Sequence, residues 1–459
     1  MPASFVAPDP DAIPIHAVMA DKWPAFADAL EPIERSFAEA LGFTAKPGSH
    51  LIVPGADGAI GRVLYGRVDA TARGFDAFAA GRLSTLLPAG RYQLVGGWPD
   101  PGLTALGWAL SAYRFTRYKS RTDDGPLLCV PTGTDGARLQ RIVEAVALAR
   151  DLVNTPANDL GPEALEAAAV ALATRHGAEV RVFSGDMLRT GFPLVHAVGQ
   201  AAAEHPRLVD FAWGPMDAPK VTLVGKGVTF DTGGLDIKPE SGMALMKKDM
   251  GGAATALALA HMVMDAGLKI RLRVIVPIVE NAISSSAFRP GDVYRSRKGP
   301  TVEIGNTDAE GRLILADALA LACEESPVLL FDFATLTGAA RVALGPDLPP
   351  FYTDDDALAD EIARCGKAAH DPVWRMPLWA PYDALLEGKT GEINNISGGP
   401  FAGSVTAALF LRRFVEPDTA WVHFDIFGWN PTTKPGRPEG GETQTARLLF
   451  DLLSARYPA

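Results

Sequence analysis

Two glycine-rich stretches, residues 224–238 and 306–313, carry most of the side chains that could do chemistry. A further acid follows the first stretch. Together the acids and cations are Lys226, Asp231, Lys238, Asp249, Asp308, Glu310 and Arg312. If the four carboxylates converge, burial and mutual repulsion oppose their ionisation unless cations lie between them. Two divalent metal ions would balance that charge, so the pattern predicts a two-metal hydrolytic centre.

The ligand chemistry narrows the identity of the metal without fixing it. Oxygen ligands without clustered imidazole or thiolate suit magnesium or manganese, and zinc also accepts Asp and Glu. The eight histidines are scattered and none forms a His-Glu-x-x-His pair, so a single-zinc protease helix is not indicated. Cys129, Cys323 and Cys365 lack Cys-x-x-Cys spacing, and we expect buried, reduced thiols.

Local patterns predict how the chain positions these ligands. Residues 220–224 form a short apolar and β-branched run before a glycine, which predicts a buried strand whose carboxyl end delivers Lys226 and Asp231. Asp308 and Glu310 alternate around an alanine, so an extended backbone would point both carboxylates to the same side. One strand end and one short loop would thus supply four candidate ligands.

Strands alternate with helices in the rest of this region. The alanine-rich run 250–264 predicts a buried helix with Asp249 at its amino end, where the helix dipole favours an anion. The other predicted elements are a helix at 162–176 and strands at 179–183, 270–277, 328–333 and 421–426. This alternation predicts a mostly parallel mixed sheet flanked by helices, with ligands beyond the carboxyl ends of its strands.

Length and patterning together predict two domains. The chain has 459 residues and is 47% hydrophobic, which is enough for two sizeable cores. Apolar residues at helical spacing predict a linking helix at 137–153, before a turn-rich segment. We therefore expect an α/β protein with a small amino-terminal α/β domain at 1–136 and a catalytic domain at 154–459.

Composition argues against membrane and nucleic-acid partners. No apolar run approaches the roughly 20 residues that cross a bilayer, and the first residues lack a basic region followed by an apolar core. We therefore expect a cytoplasmic protein. The net charge of −11 without a dense basic block disfavours a nucleic-acid surface.

Residues 224–254 and 306–313 resemble the leucine aminopeptidase, or cytosol aminopeptidase, family of two-metal exopeptidases. The octapeptide Asn-Thr-Asp-Ala-Glu-Gly-Arg-Leu at 306–313 matches the family signature, and the first block matches its other metal-binding stretch almost throughout. The resemblance runs from Asn154 onward, whereas roughly the first 150 residues show none that we can name. Thr232 and Asp236 stand where the family often has serine, and neither change removes a ligand.

The resemblance implies a metal-binding role for five residues. Asp231 and Glu310 would bridge both metals, Lys226 and Asp249 would complete one site, and Asp308 would belong to the other. A metal-bound Lys226 must be neutral, which burial and an adjacent dication both favour.

The resemblance also implies the catalytic groups and the substrate. Lys238 would stay charged and polarise the scissile carbonyl, and Arg312 would hold a bicarbonate ion that acts as general base. The residues that match the family's pocket for the first side chain are Met246, Thr335, Leu336 and Gly338; we call them the predicted pocket. The substrate's free amino terminus would bind a metal, and leucine or another apolar first residue would be preferred. The family further implies peptide substrates and a homohexamer.

Each residue alone has an ordinary interpretation. Lys238 and Arg312 would more often be solvated or salt-bridged, Asp249 could be a helix cap, and Met246 could be core filler. Their joint occurrence favours a metal-dependent aminopeptidase. Two alternatives stay open. A catalytically inactive relative, serving as a scaffold or DNA-binding assembly, would be expected to lose a ligand, and none is missing. Another two-metal hydrolase, such as a phosphoesterase, is disfavoured by Lys226 and the octapeptide.

Overall fold

The computed structural model describes residues 5–119 and 125–459. The chain divides into two units: Met1–Glu144 with Thr432–Glu439, and Ala145–Pro431 with Gly440–Ala459. The division falls inside one long helix, Gly136–Asn154, where the spacing of apolar residues predicts a helix at 137–153. A short segment near the carboxyl end, residues 432–439, belongs to the first unit rather than the second.

The first unit is built on a mostly parallel sheet. Its strands within the described residues are β1 (Phe5–Val6), β2 (Ile13–Met19), β3 (His50–Pro54), β4 (Ile60–Arg67), β5 (Arg91–Val95) and β6 (Leu127–Cys129). Its helices are α1 (Trp23–Asp28), α2 (Pro32–Ala40), α3 (Leu83–Leu86) and α4 (Pro101–Ala112), with 3-10 turns at Ala20–Lys22 and Ala79–Arg82. The strand order is β1-β6-β5-β2-β4-β3, and only the β3–β4 pair in this sheet is antiparallel.

The helices and strands of the second unit alternate along much of its length. Its helices after α5 (Gly136–Asn154) are α6 (Pro162–Arg175), α7 (Gly185–Gly191), α8 (Pro193–Gly199), α9 (Glu240–Met243), α10 (Gly251–Ala266), α11 (Glu310–Cys323), α12 (Gly338–Leu344), α13 (Asp356–Ala368), α14 (Gly403–Arg412) and α15 (Ala446–Arg456). Shorter 3-10 helices span Met246–Met250 and Ala380–Leu386. Its strands are β7 (Glu179–Ser184), β8 (Arg207–Trp213), β9 (Lys220–Gly225), β10 (Gly227–Asp231), β11 (Arg271–Asn281), β12 (Val293–Arg295), β13 (Thr301–Glu303), β14 (Leu329–Ala334), β15 (Pro350–Tyr352), β16 (Trp374–Arg375), β17 (Ile393–Asn394), β18 (Trp421–Asp425), β19 (Trp429–Asn430) and β20 (Gly440–Gly441).

The main sheet of the second unit is mixed and mostly parallel. Its order is β16-β15-β18-β14-β9-β11-β8-β7, and β10 pairs with β11. The central pairs β14–β18, β14–β9 and β11–β9 are parallel, whereas β15–β18, β11–β8 and β7–β8 are antiparallel. The predicted fold class, a small amino-terminal α/β part followed by a mostly parallel mixed sheet flanked by helices, is confirmed.

The central strands of this sheet are buried because both of their faces carry apolar side chains. β9 and β14 are buried almost throughout and are nearly continuous in apolar residues, as strands covered on both faces are. Helix α10 approaches their ends closely, because a Cβ at Gly252 would lie 2.1 Å from the Phe333 carbonyl oxygen. The close approach brings the 3-10 helix Met246–Met250, which precedes α10, up to the carboxyl edge of the sheet.

Two further expectations concern thiols and membrane spans. Cys129 and Cys323 are buried, Cys365 is half-buried, and all three thiols are free. Among the described residues, none of the helices combines the length and the apolar character that a membrane crossing requires.

Candidate active site and metal centre

The candidate ligands gather at the carboxyl edge of the main sheet. Lys226 follows β9, Asp231 ends β10, and Asp249 lies in the 3-10 helix that precedes α10. Asp308 and Glu310 come from the loop that opens α11. Carboxylate oxygens of Asp231, Asp308 and Glu310 all lie within 4.8 Å of one another. Residues from four separate segments thus meet where ligands of α/β sheets usually bind.

Lys226 lies at the buried centre of the cluster. Its Nζ is 2.8 Å from Asp249 Oδ2 and 2.9 Å from Glu310 Oε1, and it donates to the Thr335 carbonyl oxygen at 3.0 Å. A Cβ at Gly311 would lie 2.8 Å from the same Nζ, so only glycine leaves room for the lysine. Burial alone would lower the pKa of Lys226, but the neighbouring carboxylates, first that of Asp249, outweigh it and raise the pKa.

Lys238 lies at the more open side of the same cluster. Its Nζ is 2.7 Å from Asp231 Oδ2 and also contacts Asp308 Oδ1. Its side chain is 15% exposed, against 3% for Lys226. Burial opposes the ammonium form, but the carboxylates, first that of Asp231, raise the pKa of Lys238 above its usual value. Lys238 is therefore held as a cation facing the accessible side.

The acids outnumber the lysines, and their pKa values reflect this. Burial and then the Asp231 carboxylate raise the pKa of Glu310 to about 8. The same two causes raise the pKa of Asp308 to about 6. Asp249 Oδ2, Asp308 Oδ1 and Glu310 Oε1 are buried, and each lies against a lysine ammonium: Lys226 for Asp249 and Glu310, and Lys238 for Asp308. Buried carboxylates that outnumber the cations beside them suit divalent metal ions.

The backbone around Asp308 differs from the sequence prediction. An extended segment was expected, but residues 307 and 308 form a turn and Glu310 is the first residue of α11. The Asn306 side chain stabilises this turn, because its Oδ1 accepts from the Asp308 backbone N–H at 2.6 Å. The extended-backbone prediction is wrong, yet the two carboxylates still face the same point, now across a helix start.

Arg312 lies two residues further along α11 and is buried. Its Nη1 donates to the Asn395 carbonyl oxygen at 2.6 Å. Burial lowers the pKa of Arg312 to about 10, against the opposing effects of Glu310 and Asp425. No hydrogen bond joins Arg312 to the five candidate metal ligands in the part of the chain that the structure describes.

The predicted pocket lies on segments that border the cluster. Thr335 Oγ1 donates to Asp249 Oδ1 at 2.7 Å, so this residue is next to a candidate ligand. The Leu336 backbone N–H donates to Asp425 Oδ1 at 3.1 Å. Gly338 is the first residue of α12, and Met246 is half-buried at the start of the 3-10 helix that carries Asp249.

Three polar residues that support the site are not among the predicted site residues. Asn281 Nδ2 donates to Asp231 Oδ1 at 2.8 Å, and its place as the last residue of β11 is the signal that could have found it. Asp236 Oδ2 accepts from the Thr307 backbone N–H at 2.8 Å, which ties the two glycine-rich stretches together. Asn395 Oδ1 accepts from the Gly305 N–H at 2.7 Å and so holds the second stretch.

Comparison with known proteins decides the family. A family model described as the cytosol aminopeptidase family, catalytic domain, matches residues 147–450. The chain belongs to the cytosol aminopeptidase family. A second model, described as the M17 aminopeptidase N-terminal domain, matches residues 13–131, a region where the sequence analysis named no resemblance. As a member of the cytosol aminopeptidase family, the protein is a leucyl aminopeptidase-type hydrolase, as the sequence predicted.

Individual relatives agree with this family. A "Probable cytosol aminopeptidase" from Syntrophotalea carbinolica is 41% identical over 368 residues, covering 76% of this chain and 73% of the relative. One from Rhizobium meliloti is 42% identical over 377 residues, covering 77% and 74%. The crystal structure of the cytosol aminopeptidase from Coxiella burnetii matches with a TM-score of 0.95 and 43% identity over 99% of both chains. The bottromycin maturation enzyme BotP in complex with Mn matches with a TM-score of 0.85 and 33% identity, covering 97% of this chain and 99% of BotP.

Proposed function

We propose that this aminopeptidase releases the amino-terminal residue of peptides at a centre of two divalent metal ions. The observation that carries the proposal is the convergence of the candidate ligands at one edge of the sheet. The residues that would hold the ions are Lys226, Asp231, Asp249, Asp308 and Glu310. When bound, such ions supply an acidified water as nucleophile and polarise the scissile carbonyl.

The donor set fits divalent ions on chemical grounds. Four carboxylates face two lysines, so the cluster carries more acids than cations. Carboxylate oxygens of Asp231, Asp308 and Glu310 lie within 4.8 Å of one another. Oxygen donors of this kind suit manganese, magnesium or zinc. The BotP structure contains Mn, which supports trying manganese first.

Lys238 is proposed to stabilise the negative charge that develops on the substrate carbonyl oxygen. Its ammonium is held between Asp231 and Asp308 and remains partly exposed, so a peptide bound at the cluster can reach it. A charge fixed before the reaction needs no reorganisation as the oxyanion forms. Removal of such a group typically lowers kcat by about 100-fold to 1000-fold.

Arg312 is proposed to hold a bicarbonate ion that accepts a proton from the attacking water. The Asn395 carbonyl oxygen anchors one end of its guanidinium, whereas its buried Nε has no hydrogen-bond partner within the described residues. The free edge of a guanidinium matches a planar carboxylate-like anion. The bicarbonate proposal rests on this geometry and on the family resemblance.

The predicted pocket supports an apolar first residue. Met246 and Leu336 are half-buried and apolar, which suits leucine or a residue of similar size. A free amino group on the substrate would occupy a position beside the acids of the cluster, so a blocked peptide would lack that interaction. The amide of an internal residue offers no such group, which explains release of single terminal residues.

The assembly and domain limits are also proposals. The family resemblance supports a homohexamer in the cytoplasm that acts on peptides, and the net charge of −11 without a dense basic block disfavours nucleic acid as a partner. It also supports domain limits at 1–136 and 154–459 with the linking helix 137–153 between them. Sedimentation velocity of the purified chain measures the assembly, and a monomer at micromolar concentration would contradict the hexamer.

One assay tests the proposed function. Purified protein is stripped of metal, reloaded with Mn²⁺, Zn²⁺ or Mg²⁺, and given leucine anilide, its amine-blocked analogue and a phosphate ester. We expect metal-dependent hydrolysis of leucine anilide alone. Equal hydrolysis of the blocked analogue, or hydrolysis of only the ester, would overturn the proposal. Elemental analysis of protein purified without added metal identifies the native ions.

A further inference from the structure

Two cations share one aromatic ring beside the predicted pocket. The Lys248 Nζ lies 4.7 Å from the centroid of the Phe427 ring, and the Arg341 guanidinium carbon lies 5.0 Å from the same centroid. Cation–π contacts of this kind are favourable. These contacts do not themselves neutralise either group, so each can also contact an anion. We call Lys248 and Arg341 the cation pair.

The cation pair adjoins the predicted pocket at each of its segments. Lys248 is two residues after Met246 in the same 3-10 helix. Arg341 is three residues after Gly338 in α12, and residues at this spacing share a helix face. Phe427 immediately precedes Gly428, where a Cβ would lie 3.1 Å from Thr335 Cγ2.

Lys248 differs from two other buried cations of this unit, Arg273 and Lys226. It is 6% exposed, yet no carboxylate oxygen of the described residues lies within 4.0 Å of its Nζ. By contrast, the similarly buried Arg273 pairs with Asp210 at 2.8 Å, and Lys226 pairs with two acids. A buried charge without a counter-ion is costly, so Lys248 has reason to be there other than stability.

The two carboxylates that act on the Lys248 charge, Asp249 and Asp425, already have other partners. Asp249 pairs with Lys226 and accepts from Thr335. Asp425 accepts from the Leu336 and Thr337 backbone N–H groups, at 3.1 Å each, and from two hydroxyl groups. Neither carboxylate is within ion-pair distance of Lys248. Among the described residues, no carboxylate is therefore placed to pair with Lys248, and an anion from outside the chain can take that position.

We propose that the cation pair binds the side-chain carboxylate of an acidic first residue, so that the enzyme releases amino-terminal glutamate in addition to apolar residues. The inference rests on the proposed function, because it places the first side chain in the predicted pocket. Glutamate has an aliphatic stem for Met246 and Leu336 and carries its charge at the tip. Lys248 would bind the carboxylate as a buried point charge, and Arg341 would bind it from the exposed side.

The test compares isosteric substrates that differ only in charge. Glutamyl and glutaminyl anilides are assayed with the metal-loaded enzyme, with leucine anilide as the reference. We expect kcat/KM for the glutamyl substrate to exceed that for the glutaminyl substrate at least about tenfold, because hydrogen bonds to charged groups contribute more than neutral ones. In Lys248→Met, which keeps the stem and removes the charge, this ratio falls at least about tenfold.

A second variant and a matched control complete the experiment. Arg341→Gln changes an exposed residue, so folding is not at risk, and we expect a smaller fall in the same ratio. Lys269→Met removes an exposed lysine elsewhere in the unit and leaves the ratio unchanged. Calorimetric titration with glutamic acid and glutamine measures the same preference without turnover, and the metal content of each variant is checked.

The outcomes separate this inference from the proposed function. If the wild type cleaves leucine anilide but prefers glutaminyl to glutamyl substrate, the inference is wrong and the aminopeptidase proposal stands. If Lys248→Met lowers the rates for both isosteres equally, Lys248 is structural and the inference is again wrong. If no free-amine anilide is cleaved under any metal, both proposals fall together.

Discussion

Two buried groups of charges in the second unit are arranged in opposite ways. At one, Glu442 pairs with Arg150 at 2.8 Å and also accepts from the Asn430 side chain at 2.8 Å and the Thr443 N–H at 2.9 Å. Burial alone would raise the pKa of Glu442, but Arg150 and the hydrogen bond from Asn430 lower it below its usual value. The Glu442 carboxylate therefore has both a cation partner and hydrogen-bond donors.

At the second group, the candidate metal cluster at the edge of the sheet, the acids outnumber the lysines. The pKa of Glu310 is raised to about 8 by burial and by its neighbour Asp231, although two lysines lie in the same cluster. Nothing about burial distinguishes Glu310 from Glu442, since both are almost fully buried. What differs is the balance of charge around them. A matched buried pair holds a fold together, whereas an unmatched group indicates a site that acts on something else.

The largest expected effect concerns the matched pair. Glu442→Gln removes the carboxylate that pairs with the buried Arg150, so we expect the free energy of unfolding to fall by about 3 to 5 kcal/mol. Urea denaturation measures it. Glu387→Gln, at an exposed position, is the control and should change stability by less than about 0.5 kcal/mol. An unchanged midpoint for Glu442→Gln would show that the pair does not stabilise the fold.

The same pair predicts a pH dependence. Because the folded pKa of Glu442 is lowered, its contribution to stability is present above the unfolded value of 4.5 and is lost as the pH falls through the folded pKa. The stability difference between wild type and Glu442→Gln should therefore shrink as the pH falls below about 4.5. A difference that grows on acidification would contradict the direction of this shift.

Substitutions in the cluster at the edge of the sheet should lower turnover instead of stability. Lys238→Ala is expected to lower kcat at least about a hundredfold, which corresponds to about 2.7 kcal/mol, because it removes a preorganised charge from the oxyanion. Asp308→Ala is expected to lower kcat to a similar extent. Circular dichroism should show both variants folded. Full turnover in either variant would refute the role assigned to that residue.

Metal binding should raise the free energy of unfolding of the protein, and this gain should depend on the acids of the cluster. At a free Mn²⁺ concentration about a hundred times Kd, the free energy of unfolding should rise by about 2.7 kcal/mol. Differential scanning calorimetry with and without chelator measures the change. Asp231→Asn should abolish most of it, whereas Glu387→Gln should not. A thermal midpoint insensitive to chelator in the wild type would argue against bound metal.

The smallest effect is expected when a residue that only supports the second glycine-rich stretch, Asp236, is replaced. Asp236→Ala removes the acceptor for the Thr307 N–H, and we expect a loss of about 1 to 3 kcal/mol in stability with turnover lowered less than in Lys238→Ala. Thermal unfolding and leucine anilide turnover measure the two effects. If turnover falls as far as in Lys238→Ala, Asp236 acts on substrate rather than on the loop.

Much of this architecture could be predicted locally. The apolar run at 220–224 predicted β9 and the alanine-rich run predicted α10, because periodicity and length decide such elements. The backbone before Glu310 could not be predicted in this way. Alternation of two acids is compatible with a strand, whereas in the structure the Asn306 side chain accepts from the Asp308 N–H in the turn that precedes α11.

The types and order of the residues by themselves determined the family, the acids and lysines available for chemistry, and the sheet that carries them. Only the tertiary structure decided which partners each charge meets. Asn281, Asp236 and Asn395 each bond to a segment that lies far away in the chain, and no carboxylate oxygen of the described residues lies within 4.0 Å of Lys248 Nζ. Charge balance depends on distances of a few ångströms between separate segments, and those distances exist only once the chain has folded.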